Sequence, residues 1–137
     1  MDAVIRQSKF HDITHFGLRL AIGVIFIIHG SGKFNPGFAG FLTQIGVPTE
    51  MQLLLALAEF VPGILLVIGV LTRISGSILS LMMLSAIFYV KKATEITGKG
   101  GAEFEIMLLA GSLIIIVVGP GRVSLSHILK KVPRFLQ

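Results

Sequence analysis

The stretch Met51–Val70, MQLLLALAEFVPGILLVIGV, decides the fold. Its twenty residues carry one charge, Glu59, near the middle. In a helix twenty residues rise roughly 30 Å, the thickness of a bilayer's hydrocarbon core. An ionisable group inside such a span costs about 2.5 to 3.5 kcal/mol on insertion scales, so it faces a bundle interior and needs partners. The remaining spans must supply them.

Composition agrees with a membrane protein. The 137 residues suffice for one domain, and only 14% are charged where a soluble domain carries about 25%. Residues 1–137 are therefore read as a single membrane domain. The chain has no cysteine, which removes disulfides, iron–sulfur ligation and thiol catalysis from its own chemistry. The net charge of +5 does not point to nucleic acid, because the basic residues lie between or beside apolar spans. The lipid bilayer is the simpler partner.

Four spans are expected, over about 13–32, 51–70, 74–90 and 103–118. Met1 to His15 is polar with scattered apolar residues, and is read as a short interfacial helix rather than a cleavable signal. Span one holds Arg19 and His29. On a helical wheel His29 lies about 80° from Arg19, and Lys33 about 40°. Gly23 and Gly30 fall in the same arc, so this face should look inward, where small residues let helices approach. In the following loop, Phe38, Phe41, Leu42 and Ile45 are spaced i, i+3, i+4, i+7 between Asn35-Pro36 and Gly46. That is a short amphipathic helix at the interface, or a lid over the bundle mouth.

Span two contains Pro62 and Gly63 just after Glu59, and a proline there frees a carbonyl one turn earlier. Leu71-Thr72-Arg73 is a tight turn into span three, which ends at Lys91-Lys92. Span four opens on Glu103 and Glu105 and stops at Gly119-Pro120-Gly121-Arg122. Ser124 then caps a last helix with Leu125, Ile128, Leu129 and Val132 on one side and Lys130 and Lys131 on the other.

Charge sets the expected orientation. Seven basic residues fall on the side of the termini (Arg6, Lys9, Arg73, Arg122, Lys130, Lys131 and Arg134) and four on the other (Lys33, Lys91, Lys92 and Lys99). The positive-inside rule then puts both termini in the cytoplasm. Glu59 lies about 12 Å below the outer end of its span. His29, Lys33 and Glu105 are near outer ends too, so a cluster with Glu59 is geometrically possible. Arg19 is about 15 Å further in than His29, and its long side chain reaches towards Glu59 from below. His29 and Arg19 both remain open as the main partner of Glu59.

The ordered set of motifs resembles the DoxX family of small four-span membrane proteins. The matching residues are Arg19 with His29-Gly30 and Lys33; Phe41 with Gly46-Val47-Pro48; Ala58-Glu59; Gly69-Val70-Leu71-Thr72-Arg73; Gly101 with Glu103-Phe104-Glu105; and Gly119-Pro120-Gly121-Arg122. The resemblance covers roughly Phe16 to Ser126. It implies an all-α, four-helix membrane bundle and a link to respiratory or redox complexes, including subunits of thiosulfate:quinone oxidoreductase. Two departures matter. A tyrosine commonly precedes the Glu-Phe pair, but here the run is Gly-Ala-Glu-Phe-Glu, which leaves open whether Glu103 or Glu105 takes the family role. Ser126 and His127 stand where an acid often follows the second turn motif.

Three functions follow from these residues. The first is a membrane subunit of a quinone-linked oxidoreductase. Glu59 and His29 are its candidate catalytic groups, moving protons or bonding a quinone head group. Arg19, Lys33 and Glu105 line its substrate or quinone pocket. Against it stands a plain structural role for each: an ion pair at Glu59, a helix-end position for Arg19, a surface anchor at Lys33. The second is a non-catalytic scaffold that anchors soluble redox enzymes through its basic C-terminal helix. The third is a small-solute or proton transporter, for which four spans require a homo-oligomer. No haem or metal is expected, because the other histidines flank the spans and no histidine–carboxylate pair has ligand spacing within one. Quinone is the one cofactor expected, bound non-covalently, with redox subunits as partners.

Overall fold

The structure, a computed structural model, describes residues 8–129, 133, 136 and 137. Four long helices make the bundle: α1 (Lys9–Gly32), α3 (Gln52–Ile68), α4 (Thr72–Ser85) and α5 (Glu103–Val118). Two short ones flank it, α2 (Gly37–Gln44) in the first loop and α6 (Leu125–Leu129) after α5. A 3-10 turn, Thr49–Met51, leads into α3, and a π-helical turn, Ala86–Val90, extends α4. Consecutive long helices are neighbours, and α5 closes the ring against α1.

Three of these segments, Lys9–Gly32, Thr49–Ile68 and Thr72–Val90, are long and apolar enough to cross a membrane. The outward faces are apolar: Leu53 is 59% exposed, Leu81 66%, Met107 71% and Val117 77%. In water such faces would aggregate; in a bilayer they meet lipid. The inner faces contribute Ile22 and Phe26 from α1, Leu66 from α3, Leu79 and Met83 from α4, and Leu108 and Ile115 from α5 to one buried cluster.

Without a hydrophobic drive inside lipid, helices associate through close packing. The α1–α3 contact shows how. A Cβ on Gly23 would lie 2.8 Å from the Gly63 carbonyl oxygen, and one on Gly63 would lie 2.9 Å from that of Gly23. The two backbones touch at this crossing, and Gly30 meets the Phe60 backbone in the same way. Both α1 glycines expected on the inward face are there.

The helix ends differ from the expected limits for local reasons. The first helix begins at Lys9, not Ile13, because Ser8 is extended (φ −138°) and its N–H donates to His11 Nδ1 at 3.2 Å. Polar residues read as a separate interfacial helix are thus its first turn; Val4 and Ile5 lie outside the described residues. The hairpin turn comes earlier than expected. Gly69 turns left-handed (φ 76°), Leu71 also has positive φ, and α4 has already started at Thr72 rather than Ile74. The last helix is capped as the sequence suggests, with Ser124 Oγ accepting from His127 N–H at 3.2 Å. Of its expected faces, Lys130, Lys131 and Val132 lie outside the described residues.

Candidate functional site

At one end of the bundle a cavity of about 700 Å³ opens between α1, α3, α4 and α5, with α2 across it. Local sequence builds each wall. The first helix ends at Gly32, and Lys33 follows on the turn. Gln52, at the start of α3, donates from Nε2 to the Lys33 carbonyl (3.0 Å) and to the Asn35 carbonyl (2.9 Å), which ties this turn to α3. The second helix lays Phe38, Phe41, Leu42 and Ile45 against the cavity, and Leu42 is fully buried. It therefore lies across the cavity, where its spacing allows either an interfacial helix or a lid. The π-helical turn brings Tyr89 within reach of α2, and its hydroxyl donates to the Ile45 carbonyl at 3.1 Å. Met82 and Met83 line the α4 side.

Two ion pairs face this apolar space. Lys33 Nζ donates to Glu59 Oε1 at 2.6 Å. Lys91 Nζ donates to Glu105 Oε2 at 2.9 Å and to the Gly101 carbonyl at 2.6 Å. Both follow one plan: a lysine just past the end of one helix reaches an acid on the next long helix. Lys33 also sits 5.5 Å from the Phe38 ring centroid, a cation–π contact. Glu59 is 3% exposed, and its second carboxylate oxygen, Oε2, is buried with no hydrogen-bond partner among the described residues. A buried acceptor without a donor is costly, so such an oxygen marks a place for a ligand or water to donate. His29 lines the same cavity and packs edge-on against Phe104, with ring centroids 5.5 Å apart. Neither ring nitrogen has a hydrogen-bond partner among the described residues, so both are available to a guest.

The structure thus brings His29, Lys33, Glu59 and Glu105 to one cavity, and the main partner of Glu59 is Lys33 rather than His29 or Arg19. Glu105 faces the cavity, whereas Glu103 is exposed. Lys91 was not anticipated as a site residue. As one of two lysines closing an apolar run it reads as a simple terminator, and only the π-helical turn aims it at Glu105.

Arg19 does not belong to this cavity. It is buried near the far end of the bundle, 1% exposed. Its Nε donates to the Leu66 carbonyl at 2.6 Å, Nη2 to the Val123 carbonyl at 2.5 Å and Nη1 to the Pro120 carbonyl. Leu66 lies in the last turn of α3, whose carbonyls have no partner within the helix. Arg19 therefore satisfies a helix end and clasps the Gly119-Pro120-Gly121-Arg122 turn. Beside it, His15 Nε2 is 2.7 Å from the Gly119 carbonyl oxygen.

Among the described residues, no three histidine, aspartate or glutamate side chains converge as a metal site. What the mouth cavity offers is a largely apolar space edged by two ammonium donors, a bare carboxylate oxygen and an imidazole with no hydrogen-bond partner among the described residues.

The DoxX family model matches residues 15–92, which include His29, Lys33, Glu59 and Lys91. This chain belongs to the DoxX family. A Bacillus subtilis relative named "Putative oxidoreductase CatD" is 34% identical over 115 residues, covering 82% of this chain and 84% of the relative. The Escherichia coli "Inner membrane protein YqjF" is 28% identical over 131 residues, covering 91% and 98%. A Mycobacterium tuberculosis membrane protein, Rv3486, is 31% identical over 130 residues, covering 83% and 80%. No solved structure matches the chain. The DoxX assignment agrees with the apolar helices: this is a helical membrane protein with relatives named as membrane proteins or as an oxidoreductase.

Proposed function

We propose that this DoxX protein is the membrane subunit of a quinone-linked oxidoreductase complex, and that its mouth cavity takes the quinone head group. The observation that carries the reading is the unpartnered Glu59 Oε2 in an apolar, aromatic-edged cavity. A quinone ring is flat and apolar with polar atoms at opposite edges. Lys33 and Lys91 can donate to its carbonyls, and Glu59 Oε2 can accept from the hydroxyl that appears on reduction. His29 is the group placed to carry a proton between the cavity and its exposed flank. The ring would lie against Phe38, Phe41 and Met82. In this reading the electrons come from a partner redox subunit. The oxidoreductase name of the Bacillus subtilis relative supports this class of function without fixing the acceptor.

The same reading takes α5 as a fourth crossing and places both termini in the cytoplasm, so that the mouth cavity opens near the outer face. The basic-residue bias supports that orientation.

The test is the quinone content of protein purified in mild detergent, by extraction and mass spectrometry, with Glu59→Gln and His29→Ala beside wild type. A near-stoichiometric quinone that falls in folded variants is the expected result. No quinone above lipid background in any sample overturns the proposal and favours a scaffold that only anchors redox enzymes.

A further inference from the structure

A second cavity, about 850 Å³, lies at the opposite end of the bundle, among the starts of α1 and α4, the end of α5 and the turn after it. Its lining has two chemistries. Leu18, Ile114 and Val118 form an apolar wall. Ile114 and Val118 are 48% and 52% exposed, so this wall continues onto the surface that meets lipid. Arg73 and Arg122 supply positive charge, and among the described lining residues Asp12 is the acidic side chain.

Neither cation is closely paired among the described residues. Arg122 comes only to 3.8 Å of Asp12, and its side chain is 65% exposed. Arg73 is fixed by its backbone: its N–H donates to the Gln137 carbonyl at 3.0 Å, and its carbonyl accepts from Ser77 Oγ at 2.8 Å. Its guanidinium has no acceptor among the described residues, and Nε is buried in that state. A buried guanidinium donor calls for an anion, and its planar fork suits carboxylate or phosphate oxygens. An apolar wall that runs into the bilayer selects among anions. A free ion would use the arginines and ignore the wall; a phospholipid uses both.

We infer that this cavity is a binding site for an anionic phospholipid, its phosphate on Arg73 and Arg122 and an acyl chain along Leu18, Ile114 and Val118. The site lies where head groups lie, at the ends of the membrane helices. A zwitterionic lipid is disfavoured because its choline cation would sit beside two arginines.

The experiment uses the full chain in mild detergent, mixed with equal amounts of phosphatidylglycerol and phosphatidylcholine of the same acyl chains. Lipid retained after gel filtration is measured by mass spectrometry. Wild type should retain phosphatidylglycerol several-fold over phosphatidylcholine, and phosphatidylglycerol should raise its melting temperature more. Arg73→Gln should cut the preference about fivefold, the effect of one basic residue near an anionic surface. Arg122→Gln should cut it less, and Lys99→Gln, on the loop at the other end, should leave it unchanged. Equal retention of the two lipids by wild type overturns the inference, and that arm needs no variant to fold. So does a preference that survives both arginine substitutions, or one that Lys99→Gln also lowers. Displacement of the lipid by millimolar inorganic phosphate would make this a soluble-anion site and overturn the lipid assignment.

Discussion

Glu59 has two carboxylate oxygens in unlike surroundings, one on Lys33 and one without a partner among the described residues. Glu59→Gln keeps the shape and removes the charge. It should lower quinone retention about tenfold, equivalent to about 1.4 kcal/mol, in protein that still elutes as a folded species. Arg19 makes the opposite case. Its three bonds go to backbone carbonyls on two segments, and they need a planar fork. Arg19→Lys keeps the charge but offers no fork, so it should cost roughly 2 kcal/mol of stability, read as a lower melting temperature, with quinone retention per folded molecule unchanged. A proportional fall in retention would place Arg19 in the site after all. The sequence shows both residues as anomalies in apolar helices. It also shows that fourteen residues of helix set Arg19 about 21 Å from Lys33, but not which backbone carbonyls lie at the depth of Arg19. Two of the three carbonyls that hold Arg19, those of Pro120 and Val123, belong to the irregular segment after α5, whose path no periodicity describes.

Helix pairing rests on glycine contacts that differ in kind between positions of α1 and α3. A methyl on Gly63 would press on the Gly23 carbonyl oxygen and the Ile27 backbone, whereas nothing lies within 4 Å of a methyl on Gly17. Gly63→Ala should therefore destabilise by about 1 to 3 kcal/mol through overpacking. Gly17→Ala should stabilise by up to roughly 1 kcal/mol through helix propensity. Thermal melts of the two variants in one detergent check both signs. The elements themselves were largely legible. Apolar runs gave the long helices, i, i+3, i+4 spacing gave α2, and Ser124 gave the α6 cap. Their ends were less so. The Ser8–His11 contact and the left-handed Gly69 fix boundaries through single local bonds and angles, which hydropathy averages away. The π-helical turn after α4 leaves no compositional mark at all.

At the scale of the molecule, the two cavities sit at opposite ends of one bundle, so orientation decides which leaflet each serves. The chain lacks cysteine, which makes a labelling test clean. With the termini in the cytoplasm, Lys99→Cys should react in intact cells with a thiol reagent that cannot cross the membrane, and Ser8→Cys should react only after lysis. The reverse pattern would invert the bundle and place the mouth cavity at the inner face. Membrane character was legible from composition alone. The grouping of His29, Lys33, Glu59 and Glu105 followed from their shared depth. Lys91 did not, because its aim depends on the phase of the helix it ends.

That phase has an evolutionary side. The Lys91 N–H reaches back five residues to Ala86, so the chain here carries one residue more than an α-helix would hold in the same turn. Phe88 lies in that turn, 64% exposed and outside the cavity lining. Loss of this one residue would let the turn close as α-helix, drawing Lys91 back about 1.5 Å and swinging it about 100°. The ammonium would leave Glu105, and the cavity would exchange a neutral rim for an acidic one. An insertion or deletion at a position facing only lipid is therefore a route by which related chains can acquire a different guest without changing any residue that touches it.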